Sequence, residues 1–342
     1  MKTLFWILFS VLLISSDAFS QEKNWKLDLF NFFDNTEFGG SAVKIPQTMS
    51  GVFVAPEFGF VWDSVHKANI GVNLLHEYGS ATAIDKFYPT AYYEFCKAPL
   101  RFIMGAFPRS REIENYPRLF FQDSISYYRP NINGVYSEYR KGQSYLNLWL
   151  DWNGRKSETV REAFFIGFSG RYKPGIFYLQ HFGYLYHFAK TTDPVVEEVL
   201  HDNVLLLTSA GVDLSQKSCF RKLEANAGWV IGLERARTDN TGWITSNGLL
   251  IETRLEYKWF GLFNSFYKGG GLMYYYNDYG NDLYWGDPVY RAKTYNRSDF
   301  YVTFLLSRKV NIELTYSFHF LESRVYHEQM LKVTVNLNSL KI

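Results

Sequence analysis

The chain has 342 residues, 47% hydrophobic, 19% aromatic and 20% charged, and 36 basic against 34 acidic side chains leave a net charge of +2. That balance excludes a nucleic-acid binder built on a basic face and a polybasic membrane-surface anchor. Two cysteines are too few for a disulfide-framed secreted domain, and no CxxC or clustered His/Cys spacing offers a metal site.

Residues 1–20 read as a secretory signal peptide. Lys2 supplies the positive start, Leu4 to Ile14 the apolar core, and Ala18-Phe19-Ser20 the small residues before cleavage. No cysteine follows Ser20 to carry a lipid anchor. Residues 21–342 contain no linker, low-complexity tract or charge block, so one domain is expected.

The chain is rich in rings, with 30 Phe, 26 Tyr and 9 Trp, which favours strands. Period-2 alternation recurs in segments separated by turn residues. Taken in chain order, strands are predicted at 24–33, 50–62, 68–78, 88–97, 99–107, 132–141, 143–152 and 161–172. The second half adds 175–188, 203–214, 219–233, 245–259, 265–277, 299–308, 310–322 and 328–338. The clearest segment sets Leu249, Ile251, Thr253, Leu255, Tyr257 and Trp259 against Glu252, Arg254, Glu256 and Lys258. Strands 1, 6 and 13 of this series alternate poorly, which leaves fourteen strands as the alternative to sixteen.

Connections alternate in length. Those after even strands are short, including Phe260 to Asn264, whereas the longest, 108–131, 189–202 and 278–298, follow odd strands. Whole strand faces are apolar along the entire chain, and a closed barrel in a membrane leaves no backbone group unpaired. The fold class expected is all-β: a closed antiparallel transmembrane barrel with short periplasmic turns and long extracellular loops. Cys96 and Cys219, on strands four and eleven, are too far apart around such a wall to bond.

With this pattern, residues 21–342 resemble the porin-like outer-membrane barrels of Gram-negative bacteria. Phe102 to Arg109 looks like a porin strand entering an arginine-rich loop. The strings Phe33-Asp34-Asn35-Thr36-Glu37-Phe38 and Gly286-Asp287-Pro288-Val289-Tyr290 are similar to those of uncharacterised members. The chain ends Leu340-Lys341-Ile342 where such barrels commonly end in an aromatic residue, which moves the expected assembly signal to Val333 to Leu337. The resemblance implies outer-membrane lipid and the barrel-assembly machinery as partners. Nucleic acid is not expected, and the oligomeric state is left open.

Alternation places Arg101, Asp151, Arg171, Lys222, Glu224, Glu252, Arg254, Glu256, Lys258 and Glu313 in the lumen. They would line a wet pore for small polar solutes, or pair across strands and plug it. About eight strands would be filled by side chains, so sixteen favour the pore. In the loop 108–131, Arg109, Arg111, Glu112, Glu114 and Arg118 would set the field at a constriction. In the loop 278–298, Tyr279, Tyr284, Trp285 and Asp287 combine rings with a carboxylate, as a sugar-binding surface does.

An enzyme is the remaining alternative. Ser246-Asn247-Gly248 resembles the Ser-Asn-Gly string of outer-membrane phospholipases, where a His stands two residues before the Ser. Here that position is Ile244, which cannot take a proton. The sequence therefore points to a non-enzymatic porin-like channel, without cofactor or metal, ahead of an adhesive barrel and of a lipid-modifying enzyme.

Overall fold

Sixteen antiparallel strands close into one barrel in the computed structural model, which describes residues 22–338 apart from 114, 194–197, 238–241, 308 and 322. The signal-peptide segment 1–20 and the terminal residues 339–342 lie outside the described residues. The first eight strands are β1 (Glu22–Glu37), β2 (Gln47–Trp62), β3 (His66–Glu77), β4 (Lys86–Lys97), β5 (Leu100–Pro108), β6 (Asn131–Lys141), β7 (Ser144–Gly154) and β8 (Ala163–Tyr172). The others are β9 (Phe177–Phe188), β10 (His201–Asp213), β11 (Lys222–Ala236), β12 (Ile244–Tyr257), β13 (Phe260–Gly269), β14 (Thr294–Leu306), β15 (Val310–Leu321) and β16 (Arg324–Asn338). Each pairs with its sequence neighbour, and β1 closes on β16 from Lys26↔Asn338 to Glu37↔His327. Cys96 and Cys219 are free and exposed.

One strand is displaced from its predicted place. The predicted strand 265–277 lies at Phe260–Gly269, because a tight turn at Lys258 and Trp259, with Lys258 at φ 53°, pairs Tyr257 with Phe260. Gly261 and Asn264 look like turn residues in the sequence. Gly261 is instead a strand glycine whose added Cβ would stand 2.1 Å from the Tyr301 ring. The loop that follows accordingly runs over 270–293.

Outward positions carry a belt of exposed large apolar side chains, among them Phe58, Ile70, Met104, Leu148, Leu179, Trp229, Phe300 and Leu314. A wall apolar on its outer face and closed at every edge suits hydrocarbon. Strands 1, 6 and 13 alternate poorly because their inner faces are apolar too: Phe32, Ile132, Tyr136 and Tyr267 are buried inside the lumen.

Two long connections fill that lumen at one end. The segment 109–130 carries the helical turn α1 (Asp123–Tyr128), and 270–293 carries α2 (Tyr276–Leu283), which breaks at Gly280. Trp285 reaches the opposite wall, 4.8 Å between centroids from Phe165, and Tyr186 OH donates to the Asp282 carbonyl at 3.1 Å. The same loop is tied back to the β1–β2 connection by Lys44 and Asp287 at 3.0 Å. The two connections also bond each other, Gln122 N to Trp285 O at 2.8 Å and Asp287 N to Arg118 O at 2.9 Å. They cross so closely that a Cβ on Gly286 would lie 2.1 Å from the Leu119 carbonyl. Phe120, Phe165, Tyr184 and Trp285 are all nearly solvent-free, so this half of the barrel is a packed aromatic plug. Beneath it lies a cavity of about 1380 Å³ that reaches the short-turn end at Gly142, Gln143 and Gln216.

Candidate functional site

The charges assigned to the lumen divide between cavity and plug. Arg171, Lys222, Glu224, Glu252, Arg254 and Glu313 line the cavity. Arg171 bonds Glu224 at 2.8 Å and lies 3.8 Å over the Tyr178 ring, and Lys222 meets the same Glu224 at 2.9 Å. Arg254 rests over Phe263 at 5.3 Å. Glu256 accepts from Tyr301 OH at 2.7 Å and pairs with Arg221 at 3.1 Å. Arg101 is held between Glu94 at 2.7 Å and Glu112 at 2.6 Å. Asp151 is fully buried against Arg109. Lys258 sits in the turn, over the Tyr257 ring at 5.3 Å, and not in the lumen, because β12 ends before it.

The arginine-rich loop is bolted to the wall. Arg111 reaches Tyr92 OH at 3.0 Å and both Glu57 and Asp28 at 3.4 Å. Arg118 bonds Asp123 at 2.6 Å and Asp299 at 3.1 Å. Asp123 also takes Lys332 at 3.0 Å and faces Arg297 at 3.9 Å. Burial opposes its ionisation, but Arg118, Lys332 and Arg297 together hold its carboxyl well below the usual range. Glu114 lies outside the described residues.

The aromatic loop is structural rather than open. Tyr284, Trp285 and Asp287 are buried, Tyr284 donating to Glu234 and Asp287 accepting from Lys44 Nζ rather than facing solute space. Tyr279 packs on His201 at 4.4 Å between centroids. Sequence reasoning also missed a sealed group behind the plug: His319 Nε2 lies 2.9 Å from Glu328, its Nδ1 2.6 Å from Tyr295 OH, and Arg297 bonds Glu328 at 3.0 Å.

The outer wall carries a different arrangement at the long-loop end of the seam. Tyr316, Gln329, Asn35 and Thr48 are successive register partners across β15, β16, β1 and β2. Thr48 Oγ1 donates to Asn35 Oδ1 at 2.7 Å, and Asn35 Nδ2 donates to Gln329 Oε1 at 2.7 Å and to Glu37 Oε1 at 3.1 Å. One step nearer the rim, His327 pairs in register with Glu37, and its Nδ1 lies 3.2 Å from Tyr316 OH. Below the row, Leu314, Leu331 and Phe33 restore the apolar belt. Polar side chains on a hydrocarbon-facing wall are costly unless they lie near the interface. Here they form one connected amide, hydroxyl, imidazole and carboxylate set. The signal was in the sequence as Asn35, His327 and Gln329 at outward parity.

The family described as lipid A 3'-O-deacylase-type matches residues 15–338, nearly the whole chain. The chain belongs to that family. No curated relative matches it. Among solved structures, the deacylase-type chain is similar to a loop-deletion form of OmpT, an outer membrane protein of Vibrio cholerae, at a TM-score of 0.57 and 8% identity, covering 93% of this chain and 100% of that one. It is similar to OccK2 of Pseudomonas aeruginosa at 0.51 and 12% identity, covering 93% and 99%, and to a porin mutant of Rh. blastica at 0.51 and 10%, covering 92% and 100%. Identities this low show the fold alone: an outer-membrane β-barrel, whose short turns then face the periplasm and long loops the exterior. Family membership corrects the expectation of a non-enzyme, because a deacylase-type family is an enzyme family. That expectation rested on Ile244 beside Ser246, and Ser246 proves to be a wall residue donating to the Gly271 carbonyl at 2.9 Å. The absence of a base at that one string said nothing of chemistry elsewhere on the wall.

Proposed function

We propose that this deacylase-type barrel hydrolyses an ester-linked acyl chain of an outer-leaflet glycolipid of the lipid A class. The observation that carries the reading is the polar row Tyr316–Gln329–Asn35–Thr48 with His327 and Glu37, set on the lipid-facing wall at its exterior end. An ester at the junction of sugar and acyl chain would lie at that level, with the chain against Phe33 and Leu331. The plug supports the reading over passive diffusion, since solutes meet packed rings.

In this mechanism His327 is the general base. Its Nδ1 faces Tyr316 OH, which leaves Nε2 to take a proton from water, and Glu37 is its register partner on β1. The water oxygen attacks the ester carbonyl carbon. The Gln329 amide accepts from Asn35 through Oε1, so its NH₂ group is left to donate to the developing oxyanion. Collapse breaks the bond to the sugar oxygen, which takes the proton back from His327, releasing a fatty acid and a sugar hydroxyl.

The test is mass spectrometry of lipid A from a Gram-negative host expressing the protein. Wild type is expected to yield a species lighter by one acyl chain. The His327→Ala variant, shown to be folded by heat-modifiable migration, should lose about 10²–10⁴-fold of that activity. Unchanged lipid A beside folded wild-type protein would overturn the reading.

A further inference from the structure

A second row crosses the outer wall far from the seam. Trp152, Phe164, His187, Asp202 and Arg235 are successive register partners on β7, β8, β9, β10 and β11, and the Arg235 guanidinium covers the Trp243 ring at 4.5 Å. Asp202 and His187 stand near the exterior ends of their strands, so the row sits at the membrane boundary. β10 lies about half-way around the sixteen-strand ring from β1.

The centre of the row is one carboxylate holding two arginines. Asp202 accepts from Arg235 Nη2 at 2.6 Å, Arg237 Nε at 2.7 Å and Arg237 Nη2 at 3.1 Å, and it lies 2.9 Å from His187 Nδ1. The carboxylate is 3% exposed, while Arg235 and Arg237 are 31% and 48% exposed. Asp202 thus fixes both guanidinium planes and cancels one charge of two. The buried Nε of Arg235 has no partner among the described residues. Trp152 and Trp243, each 43% exposed, flank the cations as interfacial aromatic anchors do.

We propose that this row binds the phosphate-bearing headgroup of an outer-leaflet lipid, with Arg235 and Arg237 as the anion ligands. Planar guanidinium groups suit phosphate oxygens, and fixing them beforehand lowers the entropy lost on binding. The acyl chains would run down the wall over Phe164 and Trp229. A free anion would need neither the apolar wall below nor the tryptophans on either side. The site is a docking surface distinct from the seam row and does not depend on the hydrolytic reading.

The experiment uses full-length protein in phosphatidylcholine nanodiscs containing about 5 mol% bisphosphorylated lipid A, with native mass spectrometry reading the lipid retained after activation. Wild type should retain it, and R235Q/R237Q should retain at least fivefold less, with dephosphorylated lipid A retained equally weakly by both. R237Q alone, altering an exposed side chain beyond the end of β11, should lower retention at least threefold and keeps the test informative if the double variant folds poorly. In an N35A/Q329A background the arginine substitutions should cause the same fivefold loss, which separates this site from the seam. Equal retention by wild type and both arginine variants overturns the proposal. Displacement of the lipid by 10 mM inorganic phosphate would also overturn it, in favour of a free-anion site.

Discussion

Arg109 and Asp151 form an ion pair sealed from solvent, the guanidinium from the first residue of the plug loop and the carboxylate from β7. Arg109 also donates to the carbonyls of Arg129 and Asn131, each at 2.8 Å, and Asp151 accepts from Asn133 N at 2.9 Å. One pair therefore ties both ends of the loop to the wall. Asp151→Ala leaves a buried cation without its partner, and a loss of about 3–5 kcal/mol is expected. The half-exposed Arg140, paired with Glu138, is the control: Arg140→Ala should cost less than about 1 kcal/mol. Denaturant midpoints of refolded protein in micelles measure both. Equal losses would show that the loop is not anchored there.

The plug predicts an electrical result. Wild type in a planar bilayer should pass no steady current, because Trp285 and its neighbours bridge the exterior half of the lumen. Replacing residues 273–289 by a short Gly-Ser linker removes the crossing loop and should open a conducting channel. A wild-type current as large as that of the variant would mean the loop swings clear in the membrane.

Much of this was legible beforehand, and the failures have physical causes. Strand number, order, closure of β1 on β16 and the inward parity of Glu252 and Arg254 all follow from period 2. A tight turn was misplaced at β12–β13 because Gly261 reads as a turn residue when it actually makes room for Tyr301. A plug was weighed only as charges pairing across strands, and plugging by the loop was not legible: the rings of the segment 278–298 suit an exposed rim as well as a core, and only contacts such as Phe121 with Trp285 decide between them. The seam row was missed because its residues lie near opposite ends of the chain. Asn35 and Gln329 become neighbours only when the barrel closes.

The β3–β4 loop carries a pH dependence that can be signed. Asp85 accepts from Ser80 Oγ, from Thr82 Oγ1 at 2.5 Å and from Glu77 N at 2.7 Å, and these bonds lower its pKa from 3.8 to about 2. A depressed carboxyl stabilises the folded loop above its unfolded value and loses that contribution as pH falls through the folded one. Protection of the Glu77 amide from hydrogen exchange, corrected for intrinsic rate, should be constant from pH 7 to about 4 and fall towards pH 2. Asp85→Asn should remove the dependence. A midpoint near pH 4 in the wild type would contradict the hydrogen-bonded arrangement.

The two faces of β12 should respond oppositely to charge, and the outward face should respond by depth. Ile251 stands at mid-strand between its outward partners Ala227 and Phe266, whereas Leu255 lies two residues from the periplasmic turn. An arginine at the bilayer midplane costs about 2–4 kcal/mol, falling to about 0–1 near the interface. Ile251→Arg should therefore lose about 2–4 kcal/mol in folding titrations in lipid vesicles, and Leu255→Arg no more than about 1. Arg254, between them in sequence, points into the cavity beneath the plug, over Phe263 and without a carboxylate in bonding distance among the described residues. Arg254→Gln removes a solvated charge and should change stability by less than about 1 kcal/mol. Parity and height together set Ile251→Arg above both other variants. If Arg254→Gln proved the most damaging of the three, the cavity beneath the plug would be dry and the strand's faces would have to be reassigned.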